Sequence, residues 1–205
     1  MDMFLSLRAD KQQHIINAAL NAFGKNGYKK ASVADIAEEA GIAKGMINYY
    51  FGSKKNLYLY LANLCFRTMA KEIEQQFDAS VTDFFDKMKM SVNIKVSVIK
   101  GHAGILSFLA SAYTEKDSEV MSEIGVFLAE GMKFRERMLY SSVDQFKFND
   151  DVDPELIDKF LFWAADGFTN SLKNGMNVEK IEAMVKDLFD FMDLMKKYLY
   201  KKEYL

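Results

Sequence analysis

Apolar residues recur at steps of three and four along almost the whole chain, and a single proline, Pro154, interrupts 205 residues of sequence. That combination admits long helices and little else. Strands would need period-two alternation, and a sandwich or barrel would need many turns rich in Gly and Pro. Only eleven glycines are present. The pattern predicts an all-α fold of nine helices: a compact trio at the front and a larger bundle behind it. The first helix covers about residues 10–25, with Ile15, Ala18, Ala19, Ala22 and Phe23 on one face and Asn26-Gly27 as its stop. Ser32 caps the next, over 33–40, which ends at Gly41. A two-turn helix follows over 44–51, then a long one from the Ser53 cap to about residue 77. Further helices are expected after Ser80 to 100, over 103–114 and over 117–146. Asp153-Pro154-Glu155 opens one to about 173, and Asn174-Gly175 with Asn177 as cap opens the last, to about 200.

Charge narrows the function classes. The total is near −2, but residues 1–60 carry eight Lys/Arg against five Asp/Glu, while the remainder carries 19 against 24. A mildly basic front module therefore rides on an acidic body. One cysteine, Cys65, cannot close an internal disulfide and reads as a small buried hydrophobe in a reducing compartment. The start, MDMFLSLRAD, lacks a cationic segment followed by a long apolar one, so no secretory leader is expected. The longest charge-free apolar run, AGILSFLASAYT (103–114), is too short for roughly 30 Å of hydrocarbon. A cytoplasmic protein is the expectation. No GxSxG, phosphate loop, HExxH or Cys/His pair occurs, and His14 and His102 stand apart. Neither an enzyme nor a metal site nor a cofactor is expected.

The stretch AGIAKGMINYYFGSKKNLY (40–58) carries the chemistry. Small Ala37, then Gly41 four residues on, then Ile47 six further, fit a helix-turn-helix: close packing, a turn with positive φ, and a plug of the second helix onto the first. Ile47 and Phe51 share the inward side, with Tyr50 beside them. Lys44, Gly45, Asn48 and Tyr49 are left outward, where amide, ammonium and phenol groups can read base edges or hold phosphates. Lys54 and Lys55 stand in the first turn of the next helix, where the macrodipole disfavours cations. An anion held jointly by the lysines and the free N–H groups resolves that conflict.

NAFGKNGYKKASVADIAEEAGIAKGMINYYFGSKKNLYLYL resembles the DNA-binding domain of TetR-family transcriptional regulators, over residues 11–62. The resemblance implies that the 44–51 helix enters the major groove, with Ala43, Lys44, Gly45, Met46, Asn48, Tyr49 and Tyr50 at contact positions. It also implies that Ser32, Val33 and Lys54 touch phosphates. Ala43 stands where the family has Ser or Thr, Met46 where it has Thr or a small residue, and Asn48 where it has Tyr. The base preference should differ accordingly.

The division expected is residues 1–52 as the DNA-binding domain and 53–205 as the effector and dimerisation domain. Apolar residues spread over more than one stripe of the last two helices. Phe160, Ala164, Phe168, Met184, Leu188 and Met192 are candidates for a homodimer interface, which agrees with the four-helix dimer bundle of the resembled family. Phe108, Tyr113, Phe127, Met132 and Trp163 are candidates for an apolar effector cavity. The expected function is a homodimeric regulator, a repressor released from a palindromic operator by a small apolar or aromatic ligand. The rival reading is a helical carrier of small molecules or lipid without a DNA role.

Overall fold

The computed structural model describes residues 2–101, 103–140, 142–171 and 178–205. Side chains are described for all of these except 99, 101, 103, 165, 166, 168–171, 178 and 179. His102 and the Asn174–Asn177 break lie outside the described residues. Within them the chain forms ten α-helices and no strand: α1 Asp2–Leu5, α2 Ala9–Lys30, α3 Val33–Glu39, α4 Met46–Phe51, α5 Lys54–Gln76, α6 Phe84–Gly101, α7 Ala103–Tyr113, α8 Met121–Tyr140, α9 Pro154–Ser171 and α10 Val178–Leu199. None is long and apolar enough to cross a membrane.

The punctuation follows local chemistry. The expected stop at Gly27 is a break inside α2, with φ +71°, after which Ala31 donates back to Gly27 at 3.2 Å. Ser53 caps α5 by accepting from the Asn56 N–H at 3.1 Å, and Asp153 caps α9 by accepting from Glu155 at 2.9 Å. Three expected boundaries move. The 44–51 helix begins at Met46, because Ala43–Met46 closes a turn with a 2.8 Å hydrogen bond. The helix expected from Ser80 begins at Phe84, with Asp83 as the working cap, accepting from Phe85 and Asp86. The helix expected over 117–146 is only Met121–Tyr140. Carboxylates of Glu115 and Asp117 tie down the backbone before it. After it Ser142 adopts φ +59°, and Thr82 draws Asp144 in through both its carbonyl and its hydroxyl.

The helices form two compact units. The first comprises Met1–Glu72 with Gly101–Phe134. Its centre is aromatic: the buried Tyr58 ring lies 4.9 Å from Phe23, 5.0 Å from Phe108 and 5.1 Å from Tyr28. Cys65 is buried here, and burial pushes its thiol up to about 12. Here α2 crosses α7 through two small residues. A Cβ on Gly24 would stand 2.7 Å from Ser107 Cβ and 2.9 Å from its carbonyl carbon, and one on Gly104 would meet Leu20 at 3.4 Å.

The second unit comprises Ile73–Lys100 with Arg135–Leu205. Phe84, Phe85, Phe148 and Tyr200 form its core with Met88, Leu139, Leu161 and Met192. The segment after α8 is held there by the Asn149 N–H to Leu199 at 2.8 Å and the Lys201 N–H to Lys147 at 2.9 Å. Asp83, only 8% exposed, receives Lys196 at 3.1 Å and Lys147 at 3.3 Å. Burial raises its carboxyl, but the Lys196 hydrogen bond, the Asp86 N–H and Lys147 outweigh it and hold the group below the usual carboxylate range.

Two measurements follow. Gly24→Ala, normally a gain in a helix interior, should instead cost about 1–3 kcal/mol by denaturant titration, because its methyl meets backbone across the crossing. Gly125→Ala on α8, where a Cβ would meet nothing within 4 Å, should be neutral or stabilising by up to about 1 kcal/mol. Asp83 has a lowered folded pKa, so its contribution is complete above about pH 4 and is lost as pH falls through the folded value. Unfolding free energies measured from neutral pH down into the acid range should therefore fall more steeply for the native chain than for Asp83→Asn.

Candidate nucleic-acid interface

The interface is built from α3, the turn after it, α4 and the start of α5. Ser32 fixes the beginning of α3 by accepting from the N–H groups of Ala34 (3.2 Å) and Asp35 (3.4 Å), and Val33 leans on the core. Ile36 and Ala37 are buried, so α3 lies tight against its neighbours. Gly41, at φ +65°, then reverses the chain, and the Ile42 N–H reaches back to Ala37 at 2.9 Å. No β-branched or bulky residue adopts that φ without strain.

Across α4 the two sides separate sharply. Ile47, Tyr50 and Phe51 are buried, while Ala43, Lys44, Gly45, Asn48 and Tyr49 are exposed, Tyr49 at 57%. Met46 lies between, partly packed against the core. A Cβ on Gly45 would meet no atom of this chain, so internal packing does not require a glycine there. Its smallness leaves room for an outside partner to approach the backbone. The outward set is thus a cation, an amide and a phenol on two turns, able to donate to phosphates and to base edges.

Two expected contacts are placed otherwise. Tyr50 is 4% exposed, its ring edge-on to Phe4 at 6.2 Å. The cause is α1, which carries Phe4 into the core against Phe51 (4.7 Å) and Tyr60 (5.6 Å). Tyr50 is therefore a packing residue behind the exposed face of α4. The lysines that open α5 also have partners within the chain. Lys54 donates to the carbonyls of Lys29 (3.3 Å) and Ala31 (3.4 Å) at the end of α2, and its ammonium lies 4.5 Å over the Tyr28 ring. Lys55 pairs with Glu123 at 2.6 Å and holds that carboxyl below its ordinary range. Cations at the first turn of α5 are thus explained by partners within this unit: orphan carbonyls at a helix C-terminus and a carboxylate. Lys29 and Lys30, exposed beside Ser32, are the free cations that sequence reasoning passed over. The doublet separated from the Ser32 cap only by Ala31 was the available signal.

The candidate effector residues do not gather round one cavity. Phe108 is in the aromatic core of the first unit, and Phe127 is stacked on Phe66 at 5.7 Å. Tyr113 and Met132 are exposed, and Trp163, 58% exposed, belongs to the second unit. A groove of about 490 Å³ does occur in the second unit between α6 and α10, floored by Val96, Val185 and Phe189. None of the five lines it.

The candidate interface residues separate too. Phe160, 56% exposed, and Ala164 lie open on α9, and Met184 and Leu188 are half-buried on α10. Met192, 1% exposed, is core and has no area to offer a partner. The side chain of Phe168 lies outside the described ones. Among the described residues, the large exposed apolar side chains of these helices are Leu156, Phe160 and Trp163 on α9 and Phe191, Leu194 and Tyr198 on α10. Each set repeats at steps of three and four, which makes one stripe per helix.

Residues 15–61 match the model of the family described as bacterial regulatory proteins, tetR family. Along more of its length the chain is 21% identical to the fatty acid metabolism regulator protein of Bacillus subtilis (76% of this chain, 80% of that protein). It is 24% identical to the transcriptional repressor AcnR of Corynebacterium glutamicum (86% and 89%). The structure superposes on that of the transcriptional regulator FadR of Bacillus subtilis, solved in complex with stearoyl-CoA, with a TM-score of 0.69 at 18% identity, covering 88% of this chain and 96% of that one. The helix-turn-helix of this chain thus matches the TetR family over residues 15–61, and along most of its length the chain shares the fold of FadR.

Proposed function

We propose that the protein is a homodimeric repressor that occupies a palindromic operator and is released from it by a small apolar ligand. Residues 1–52 read the DNA, and residues 53–205 bind the effector and form the dimer. The observation that carries this reading is the two-sidedness of α4: its inward residues are locked in the core, while Lys44, Asn48 and Tyr49 are open. Lys44, Gly45, Asn48 and Tyr49 enter the major groove, with Ala43 and Met46 flanking them. Lys29, Lys30, Ser32 and Val33 lie along the phosphates. Lys54 orients this surface by fastening the end of α2 to the start of α5, and any phosphate contact it makes comes second to that.

A recognition helix of six residues reads too few bases to select a site alone, and two-fold pairing doubles the readout across half-sites about 34–36 Å apart. The apolar stripes of α9 and α10 supply the pairing surface, centred on Phe160, Trp163, Phe191 and Leu194. Similarity to a fatty acid metabolism regulator and to a structure holding stearoyl-CoA supports a ligand with an acyl chain over an aromatic one. A regulator of this kind works in the cytoplasm, where its operator is.

Selection of bound fragments from genomic DNA, repeated at about 50 mM and about 200 mM salt, tests the reading. The native protein should enrich a palindrome and lose affinity steeply with salt. A carrier without a DNA role would enrich no sequence at either. Tyr49→Ala should weaken operator binding at least about tenfold while remaining dimeric by light scattering. Phe160→Glu should yield monomers and lose the operator with them. Lys54→Ala should lower the stability of the DNA-free protein by about 1 kcal/mol, a loss that a lysine serving phosphates alone would not produce.

A further inference from the structure

The outward phenol of Tyr49 has one aromatic support within the chain. Its ring stands edge-on to that of Tyr50, with centroids 5.7 Å apart and 61° between the planes. Among the described residues no other ring meets it, and the side chain is otherwise open. Tyr50 is held in turn from behind. Its ring is edge-on to that of Phe4, at 6.2 Å and 60°, and Phe4 has no exposed surface at all. Phe4, Tyr50 and Tyr49 are thus linked in series, from the core to the open face of α4.

Phe4 owes its place to α1, which as four residues could not persist alone. The Phe4 ring closes a box with Phe51 (4.7 Å) and Tyr60 (5.6 Å), which lie 5.5 Å from each other. Behind it, the Gln12 amide of α2 donates to the carbonyls of Leu5 at 3.1 Å and Leu7 at 2.8 Å, and Leu7 packs against the core. The segment is therefore fastened by one ring and by its backbone, while Met3 and Leu5 on either side of Phe4 are exposed. Burial is non-directional, and a large aliphatic side chain at position 4 would satisfy it. Edge-to-face contacts are directional, because the positive edge of one ring is drawn to the negative face of the next. Two of them in series set the angle of the Tyr49 ring as well as its place. A phenol held in advance also avoids the loss of rotamer freedom that an unsupported surface side chain suffers on binding.

We infer that Phe4 and Tyr50 are positioning residues for DNA reading: α1 sets Phe4 behind Tyr50, and Tyr50 holds the Tyr49 phenol at the angle from which it meets the duplex. The inference rests on the DNA-reading role of Tyr49 proposed above and deepens it. It assigns part of the selectivity to a segment outside the matched residues 15–61. Tyr49 touches the DNA, and the other two act through it.

A double-mutant cycle on the full-length protein tests this, with two probes: the operator selected by the native chain and a mixed-sequence duplex of the same length. Phe4→Leu keeps an apolar plug against Phe51 and Tyr60 but offers Tyr50 no ring edge. It should weaken operator binding about three- to tenfold, because Tyr49 must then be ordered on binding. Binding of the mixed-sequence duplex should stay within about twofold of native, since Lys29, Lys30 and Ser32 are untouched. In a Tyr49→Ala background, Phe4→Leu should cause no further loss of operator affinity. Tyr50→Phe keeps the ring without its hydroxyl and should bind the operator within about twofold of native, whereas Tyr50→Leu should lose as much as Phe4→Leu. Tyr50→Leu also approaches the same contact from its other side, should Phe4→Leu fail to fold. The same fractional loss from Phe4→Leu with and without the Tyr49 ring would reduce Phe4 to packing and overturn the inference. A Tyr50→Phe variant as weak as Tyr50→Leu would overturn it too, because the hydroxyl would then be acting on the DNA itself. Both results leave the regulator reading standing, whereas a native chain that selects no sequence removes that reading and this inference together.

Discussion

Everything at the interface depends on how a helix of six residues is held. In isolation α4 is far too short to persist in water, where a dozen or more residues are needed even for favourable sequences. Its existence and its orientation come from Ile47, Tyr50 and Phe51, which are driven into the core of the first unit and met there by Phe4 and Tyr60. Three large side chains on two turns leave one rotation of the helix available. The outward residues are outward because the inward ones cannot be anywhere else. Capping by Ser32 and the left-handed turn at Gly41 set where α4 starts, and the second left-handed glycine, Gly52 at φ +79°, ends it.

This also explains which parts of the site were legible in the sequence. Periodicity and punctuation carry information about backbone conformation, so Gly27, Gly41, Ser32, Ser53 and Asp153 were all readable. The exposure of Lys44, Asn48 and Tyr49 was readable too, because Ile47 and Phe51 define the inward side by spacing alone. Tyr50 was not. On a short helix it sits at the margin of the buried arc, and its fate was settled by Phe4, forty-six residues away in a segment with too few residues to show a period. Met192 failed in the same way: its helix is apolar on more than one side, and spacing cannot say which side a core takes first.

Charge was misread for a different reason. The lysines opening α5 sit against the local macrodipole, and an external anion is one remedy. The carbonyls ending α2 are another, and Lys54 takes that one, with the Tyr28 ring beneath its ammonium. A helix end that lacks internal acceptors for its first N–H groups and a helix end with spare carbonyls are both local facts. Their juxtaposition is tertiary, and the sequence separation of 23 to 25 residues hides it.

The environment of Lys54 then shows what that position does for the fold. Its ammonium takes two carbonyls at the end of α2 and lies over the Tyr28 ring, so its charge is consumed within its own unit. Lys44 is the contrast: it is exposed just before α4 and makes no ion pair among the described residues, so no carboxylate of the unit accounts for a cation there. Burial of Ile47, Tyr50 and Phe51 fixes where that cation stands, and its charge is left open to solvent.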